Sequence, residues 1–148
     1  MSIDGGTGIE ARLRRAEDLL EINQLFIDYG HHLDAGDFGA YAGLFAEDGE
    51  VLLGPMGRAK GREEIEALMT RLLTGRVGAT YHLITSPRVE LEGDRARSEV
   101  MWTVVARDGG GQPKVTLLGR HKDDLVREQG RWRFQRREGY IDIPAALA

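Results

Sequence analysis

Residues 79–143 read ATYHLITSPRVELEGDRARSEVMWTVVARDGGGQPKVTLLGRHKDDLVREQGRWRFQRREGYIDI, a stretch whose apolar residues recur with a period close to two. This period is typical of β-strands, whereas a period of 3.6 is typical of helices. Glycine-containing turns of the hairpin kind interrupt it three times. We therefore predict four successive antiparallel strands: Ala79–Leu91, Arg95–Arg107, Lys114–Arg127 and Trp132–Ile143.

The chain before this stretch has a helical pattern. A long helix is predicted from Ile9 to about Asp34, and Gly36 stands where a left-handed C-cap is wanted. Asp37 suits the N-cap of a short second helix that buries Tyr41, Leu44 and Phe45. The apolar stripe of the long helix recurs at spacings of three and four: Leu13, Ala16, Leu19, Leu20, Ile22, Leu25, Phe26, Tyr29 and Leu33.

A short strand at Glu50–Leu53 and a third helix at Gly61–Leu73 complete the expected elements. Three helices followed by a long meander indicate α+β architecture. The strands exceed the usual length of about five or six residues, so the mostly antiparallel sheet should curve strongly around the helices. We predict a cone-shaped α+β barrel with an interior, formed as a single domain by residues 9–148 after a flexible tail at residues 1–8.

Composition excludes several classes of function. The 148 residues contain no cysteine, which rules out disulfides, thiolate catalysis and cysteine-ligated zinc. A net charge of −4 gives no electrostatic reason to expect nucleic acid or an anionic membrane as a partner. No apolar run approaches the roughly 20 residues that span a bilayer, and the first residues lack the features of a signal peptide. A cytoplasmic, soluble protein is expected.

No metal or cofactor site is expected from the motifs. His31 and His32 are adjacent, which is a poor geometry for chelation. The run Gly109–Gly111 joins two predicted strands and does not precede a helix, so it does not match a phosphate-binding loop.

Several short motifs recur in a fixed order along residues 10–142. The motifs are Ile22-x-x-Leu25-x-x-x-Tyr29, Asp34-x-Gly36-Asp37, Tyr41-x-x-Leu44-Phe45-x-x-Asp48-Gly49, Gly61-x-x-x-Ile65, His82-x-x-Thr85-Ser86 and Gly130-x-Trp132-x-Phe134. In this order they resemble the SnoaL-like branch of the nuclear-transport-factor-2-like superfamily, which contains dehydratases, dehydrohalogenases, isomerases and polyketide cyclases as well as non-catalytic subunits.

The resemblance implies a catalytic pair of Asp34 and His82. Scytalone dehydratase, bile-acid 7α-dehydratase and hexachlorocyclohexane dehydrochlorinase pair an aspartate at the end of the first long helix with a histidine on the first long strand. In such a pair His82 is the general base and Asp34 orients it. Tyr29 matches a pocket tyrosine of some of these enzymes, where it can act as an acid or hydrogen-bond donor.

The chemistry of these residues supports the pair independently. The helix macrodipole disfavours a carboxylate near a C-terminal end, so a residue such as Asp34 often has a compensating partner, for which an imidazolium is suited. His82 can accept and return a proton near neutrality because the ordinary pKa of histidine is about 6.5. An alternative stays open, in which His82 binds only a backbone carbonyl and Asp34 caps the turn at Ala35-Gly36.

Four further residues are candidates for substrate binding. Met101 and Trp102, with Val104, suggest an apolar wall on the Arg95–Arg107 strand, where some relatives carry an acidic residue or histidine instead. His121 shares strand parity with Leu117 and is expected to point inward. Related dehydratases hold substrate with an arginine near the end of the chain. Arg137 matches the position of that arginine relative to the motif Gly130-x-Trp132-x-Phe134.

These observations predict a cofactor-independent lyase or isomerase acting on a hydrophobic, ring-containing or polyketide-like substrate. A polyketide cyclase and a non-catalytic ligand carrier or assembly subunit remain alternatives. The resemblance also implies a homodimer or higher homo-oligomer formed through the sheet face, with which the apolar residues Val115, Leu117 and Leu118 are compatible.

Overall fold

Three helices pack against a curved sheet of six strands in the computed structural model, which describes residues 8–144. The elements follow the chain order α1 (Ile9–Ala35), α2 (Phe38–Ala42), β1 (Phe45–Leu52), β2 (Arg58–Lys60), α3 (Arg62–Leu73), β3 (Thr80–Glu92), β4 (Arg95–Arg107), β5 (Pro113–Glu128) and β6 (Arg131–Ile143). The predicted α+β class and the four long strands are confirmed. Seven residues of the predicted tail, 1–7, lie outside the described part of the chain.

The strand order in the sheet is β2-β1-β6-β5-β4-β3. All neighbouring strands are antiparallel except β1 and β6, which are parallel. The edge strands β2 and β3 do not pair with each other within residues 8–144, so the sheet curves without closing into a complete barrel.

One local prediction was wrong, and one short strand was not predicted. Phe45 does not belong to α2, which ends at Ala42, but begins β1 and lies opposite Phe134 of β6. The pair Leu44-Phe45 suits the apolar stripe of a helix and a buried strand equally. Phe45 forms a strand because it is buried beside Phe134 of β6. The three-residue strand β2 was not predicted, because so short a strand carries too little periodicity to be recognised.

The boundary between α1 and α2 follows the predicted capping residues. Gly36 adopts the left-handed conformation with φ of 73°, and the N–H of Asp37 donates to the carbonyl of His32 at 2.9 Å. The Asp37 carboxylate then accepts the N–H of Ala40 at 3.0 Å and caps α2. This boundary fixes the position of Asp34 in the last turn of α1.

The inner face of the sheet has a filled end and a hollow end. At the filled end α1 packs its apolar stripe against the sheet, and the largest buried side chains there are Trp132, Phe45, Phe134 and Leu125. At the other end, beyond a buried layer formed by Ser98, Asp123 and Arg137, the inward-facing side chains of the helices and strands leave a cavity between them. No helix within residues 8–144 combines the length and apolar character needed to cross a membrane.

Candidate functional site

A cavity of about 400 Å³ occupies the hollow end of the sheet. Aliphatic side chains of α1, α3 and the strands β3 to β6 form most of its wall, and this volume suits one small molecule. The side chains with polar groups in the lining are Tyr29, Arg76, Thr80, His82, Trp102 and His121.

Asp34 and His82 meet at the cavity wall. The Asp34 Oδ1 atom lies 2.8 Å from Nδ1 of the His82 ring and also accepts the backbone N–H of His82 at 3.0 Å. Two donors from one residue therefore compensate the carboxylate at the end of α1. Because a carboxylate only accepts, it favours the tautomer with the proton on Nδ1, which leaves Nε2 as an unprotonated acceptor.

Gly30 allows α1 to approach β3 closely enough for this contact. A Cβ atom at position 30 would lie 3.1 Å from the backbone oxygen of His82 and 3.5 Å from Ile84. Glycine in a helix interior costs about 1 kcal/mol relative to alanine. Gly30 lies one helical turn before Asp34. The residue that lowers the stability of the helix is therefore also the residue that lets β3, with His82, approach α1 closely.

Tyr29 lies on the cavity wall beside the buried layer. Its hydroxyl oxygen accepts a hydrogen bond from Tyr41 at 3.1 Å, so its own proton remains free to donate elsewhere. Burial raises the pKa of Tyr29 although Arg137 opposes the shift, and the phenol is therefore protonated near neutral pH. The Arg137 guanidinium carbon lies 4.3 Å from the centre of the Tyr29 ring.

His121 faces the same cavity from β5, as its strand parity predicted. The ring is 5.2 Å from that of Tyr29 and 5.9 Å from that of Trp102, and Nδ1 has no hydrogen-bond partner in the described part of the chain. The pKa of His121 is held well below its usual range. The main cause is burial, and the positive charges of the Arg137 guanidinium and of a protonated His82 add to it. His121 is thus neutral near pH 7.

Trp102 lines the cavity, whereas Met101 does not. Adjacent residues of a strand point to opposite faces, and Met101 is on the outer face with 47% of its surface exposed. The prediction that Met101 binds substrate was therefore wrong. Gly119, opposite Trp102 in β5, makes room for the indole ring, since a Cβ at that position would overlap it.

Arg137 is also absent from the cavity lining, which contradicts its predicted contact with substrate. It is fully buried, and its Nε and Nη2 atoms donate to the carboxylate of Asp123 at 2.7 and 2.8 Å. Ser98 donates to the same carboxylate at 2.8 Å. A bulge at Gln135 brings Arg137 to the inner face of the sheet together with Phe134. Asp123 holds the Arg137 side chain there, close to Tyr29 and His121.

Asp123 was not predicted as part of this region. It has the same strand parity as His121 and Leu125, so the inward orientation of His121 implied that Asp123 points inward as well. A buried carboxylate requires a cationic partner, and Arg137 stands directly opposite it in β6. Within residues 8–144, no three histidine, aspartate or glutamate side chains are grouped as metal ligands.

Comparisons with known proteins agree with this fold. The sequence model of the SnoaL-like domain family matches residues 14–138, and the chain belongs to this family. An uncharacterized protein of Mycobacterium tuberculosis strain H37Rv is 30% identical over 122 residues, which cover 81% of this chain and 82% of that protein. The predicted membership of the SnoaL-like branch is confirmed.

Two solved structures from Novosphingobium aromaticivorans are similar. The first, an NTF2-like protein with a cystatin-like fold, superposes with a TM-score of 0.86 at 31% identity, covering 99% of this chain and 96% of that one. The second, a provisionally assigned scytalone dehydratase, has a TM-score of 0.73 at 25% identity, with 87% of each chain covered.

Proposed function

We propose that this protein is a cofactor-independent lyase or isomerase that removes a proton from a hydrophobic, ring-containing or polyketide-like substrate. The observation that carries the proposal is the contact of 2.8 Å between Asp34 and His82 at the wall of an apolar cavity. The similarity to a provisionally assigned scytalone dehydratase supports the same class of reaction.

In the proposed reaction, Nε2 of His82 takes a proton from the carbon next to a carbonyl group. Asp34 keeps the other ring nitrogen protonated and stabilises the imidazolium that forms. The electron pair of the broken C–H bond forms an enolate. In an elimination the bond to a β-hydroxyl group then breaks, and the imidazolium or Tyr29 supplies the proton with which water leaves. In an isomerisation the imidazolium returns its proton to the γ-carbon.

The walls of the cavity suit this chemistry. Few water molecules can accompany a ring-bearing substrate into about 400 Å³ of mostly aliphatic surface, so a proton on His82 is not lost readily to solvent. Tyr29 is positioned by Tyr41, and His121 is neutral. Both can donate a hydrogen bond to an oxygen of the substrate without adding a charge.

Two ketones that give one product test the proposal. Elimination of water from 3-hydroxycyclohexanone and isomerisation of 3-cyclohexenone both yield 2-cyclohexenone, whose conjugation is followed by ultraviolet absorbance; fused-ring analogues extend the series. We expect the wild type to accelerate at least one reaction and His82→Ala to abolish the acceleration while remaining folded. The control is His31→Ala, at an exposed residue of α1 outside the cavity. Retained activity of His82→Ala contradicts the mechanism, and ligand binding without turnover in the wild type favours the carrier.

We further propose that the outer face of the sheet forms a homodimer or higher homo-oligomer. Tyr81, Leu83, Met101 and Val115 expose 59, 49, 47 and 52% of their surface on that face, and together they form an apolar patch. Val115 and Leu118 belong to this face, whereas Leu117 lines the cavity because a bulge at Thr116 changes the strand parity. Light scattering should give an oligomer for the wild type and a monomer for Met101→Glu; a monomeric wild type contradicts the proposal.

A further inference from the structure

Arg76 is the one arginine or lysine in the described lining of the cavity, and no aspartate or glutamate accompanies it there. The residue ends a short 3₁₀ turn, Thr74–Arg76, between α3 and β3, and it is exposed at the rim of an otherwise mostly aliphatic wall. The proposed mechanism does not use it.

The charge of Arg76 has no partner within the described part of the chain. None of the salt bridges among residues 8–144 includes its guanidinium group. In contrast, Arg137, Arg127 and Arg120 each pair with at least one aspartate. An arginine beside an apolar cavity therefore retains all of its hydrogen-bond donors for a molecule that enters.

The backbone that carries Arg76 is held firmly against the site. Its carbonyl oxygen accepts the N–H of Ala79 at 3.0 Å, which directs the chain into β3. The next residue, Val77, packs over Gly36 so tightly that a Cβ atom at Gly36 would lie 2.9 Å from its side chain. The turn thus rests on the same end of α1 that presents Asp34 to His82.

From this arrangement the geometry points to a substrate that carries an anionic group, such as a carboxylate, which Arg76 binds at the rim while the apolar body occupies the cavity. This inference rests on the proposed function, since it adds a substrate class to that site. Binding the charged end at the rim holds the apolar body in one orientation relative to His82. Arg76 is therefore a specificity-determining residue, and the guanidinium group can bind a carboxylate or a sulfonate through two hydrogen bonds.

Two fluorescent probes that differ only in an anionic group test this inference. They are 8-anilinonaphthalene-1-sulfonate and its uncharged counterpart N-phenyl-1-naphthylamine, and their affinities are measured at low and at moderate salt. The variants are Arg76→Met, which keeps an apolar stem, and Arg76→Lys, which keeps the charge. The control is Arg71→Met, at an exposed arginine of α3 that lies outside the cavity and forms no salt bridge within residues 8–144.

We expect the wild type to bind the anionic probe about tenfold more tightly than the neutral one, with the preference decreasing as salt increases. Arg76→Met should lose most of this preference while binding the neutral probe within about twofold of the wild type, and Arg76→Lys should retain part of it. Arg71→Met should behave like the wild type. No preference in the wild type, no effect of Arg76→Met, or an equal loss for both probes would overturn the inference.

Because the measurement requires binding and no turnover, its result is separate from that of the ketone assay. Loss of the anion preference in Arg76→Met, with no turnover of either ketone, supports the anion site and favours the ligand carrier over the lyase or isomerase. Turnover that depends on His82, without any preference for the anionic probe, supports the lyase or isomerase proposal and contradicts the anion site.

Discussion

Two histidines face one cavity from the inner face of the curved sheet, and the charged groups near them have opposite signs. His82 on β3 has a carboxylate at 2.8 Å, whereas His121 on β5 has no acidic partner in the described part of the chain and lies near the Arg137 guanidinium. A carboxylate stabilises an imidazolium, and a buried cation destabilises it. The same side chain is therefore suited to take a proton at one wall and to remain neutral at the other.

The contrast predicts unequal losses when each histidine is replaced by glutamine. His82→Gln should reduce turnover of the reactive ketone by roughly 10²- to 10⁴-fold, because general base catalysis is lost. His121→Gln should reduce it by about tenfold or less, since only a neutral hydrogen-bond donor is exchanged. Steady-state rates of both variants at equal protein concentration measure the ratio. Equal losses would contradict the assignment of different roles.

The buried cation beneath His121 should be necessary for stability rather than for contact with substrate. Arg137→Met leaves the fully buried Asp123 without its charge partner and should lower the free energy of unfolding by about 3–5 kcal/mol. The double variant Arg137→Met/Asp123→Leu removes both charges and should recover most of that loss. Urea denaturation of the three proteins checks this. A single variant as stable as the wild type would show that the pair is not essential.

The low pKa of His121 should make the protein less stable in mild acid. Its pKa is lower in the folded than in the unfolded chain, where it is about 6.5, so the unfolded state binds more protons below that pH. The stabilising effect of a neutral His121 is complete above about pH 6.5 and decreases by at most about 1.4 kcal/mol for each pH unit below it.

Urea denaturation at pH 7 and at pH 5.5 measures this dependence. His121→Gln should lose less stability between the two pH values than the wild type does, because glutamine does not titrate. His31→Gln, at an exposed histidine, serves as the matched control and should keep the wild-type dependence. If His121→Gln also keeps it, the acid sensitivity has another origin.

The smallest expected effect concerns the approach of α1 to the wall that carries His82. Gly30→Ala adds a Cβ atom 3.1 Å from the backbone oxygen of His82, so β3 must shift by a few tenths of an ångström. The better helix propensity of alanine, about 1 kcal/mol, offsets part of the strain, while the rate should decrease several-fold. Gly109→Ala, which meets no atom within 4 Å, is the control for both measurements. An unchanged rate for Gly30→Ala would show that the contact tolerates the shift.

The sequence predicted the long elements well because their signals are local. The strand Arg95–Arg107 has the predicted limits, since a glycine turn bounds it on each side. Asp37 caps α2 as expected, because capping depends on residues within one turn. Phe45 and the strand β2 were missed because their structure depends on distant partners, Phe134 in β6 for the first and β1 for the second.

The site was predictable where strand parity applied and where the family motif fixed a position. Asp34 and His82 lie together, and Tyr29, Trp102 and His121 line the cavity. Met101 was assigned to the wrong face although it is adjacent to Trp102, an error that strict alternation would have avoided. The burial of Arg137 was not predictable from its own strand, because the bulge at Gln135 and the pairing with Asp123 depend on the assembled sheet.

The tautomer of His82 tests the central claim, that Asp34 prepares this ring as a base, without any knowledge of the substrate. Nitrogen-15 NMR of the histidine side chains distinguishes a protonated from an unprotonated ring nitrogen, and the spectrum of His82→Gln identifies the signals of His82 by their absence. We predict that neutral His82 carries its proton on Nδ1, toward Asp34, and presents an unprotonated Nε2 to the cavity. A proton on Nε2 with Nδ1 unprotonated would contradict the account.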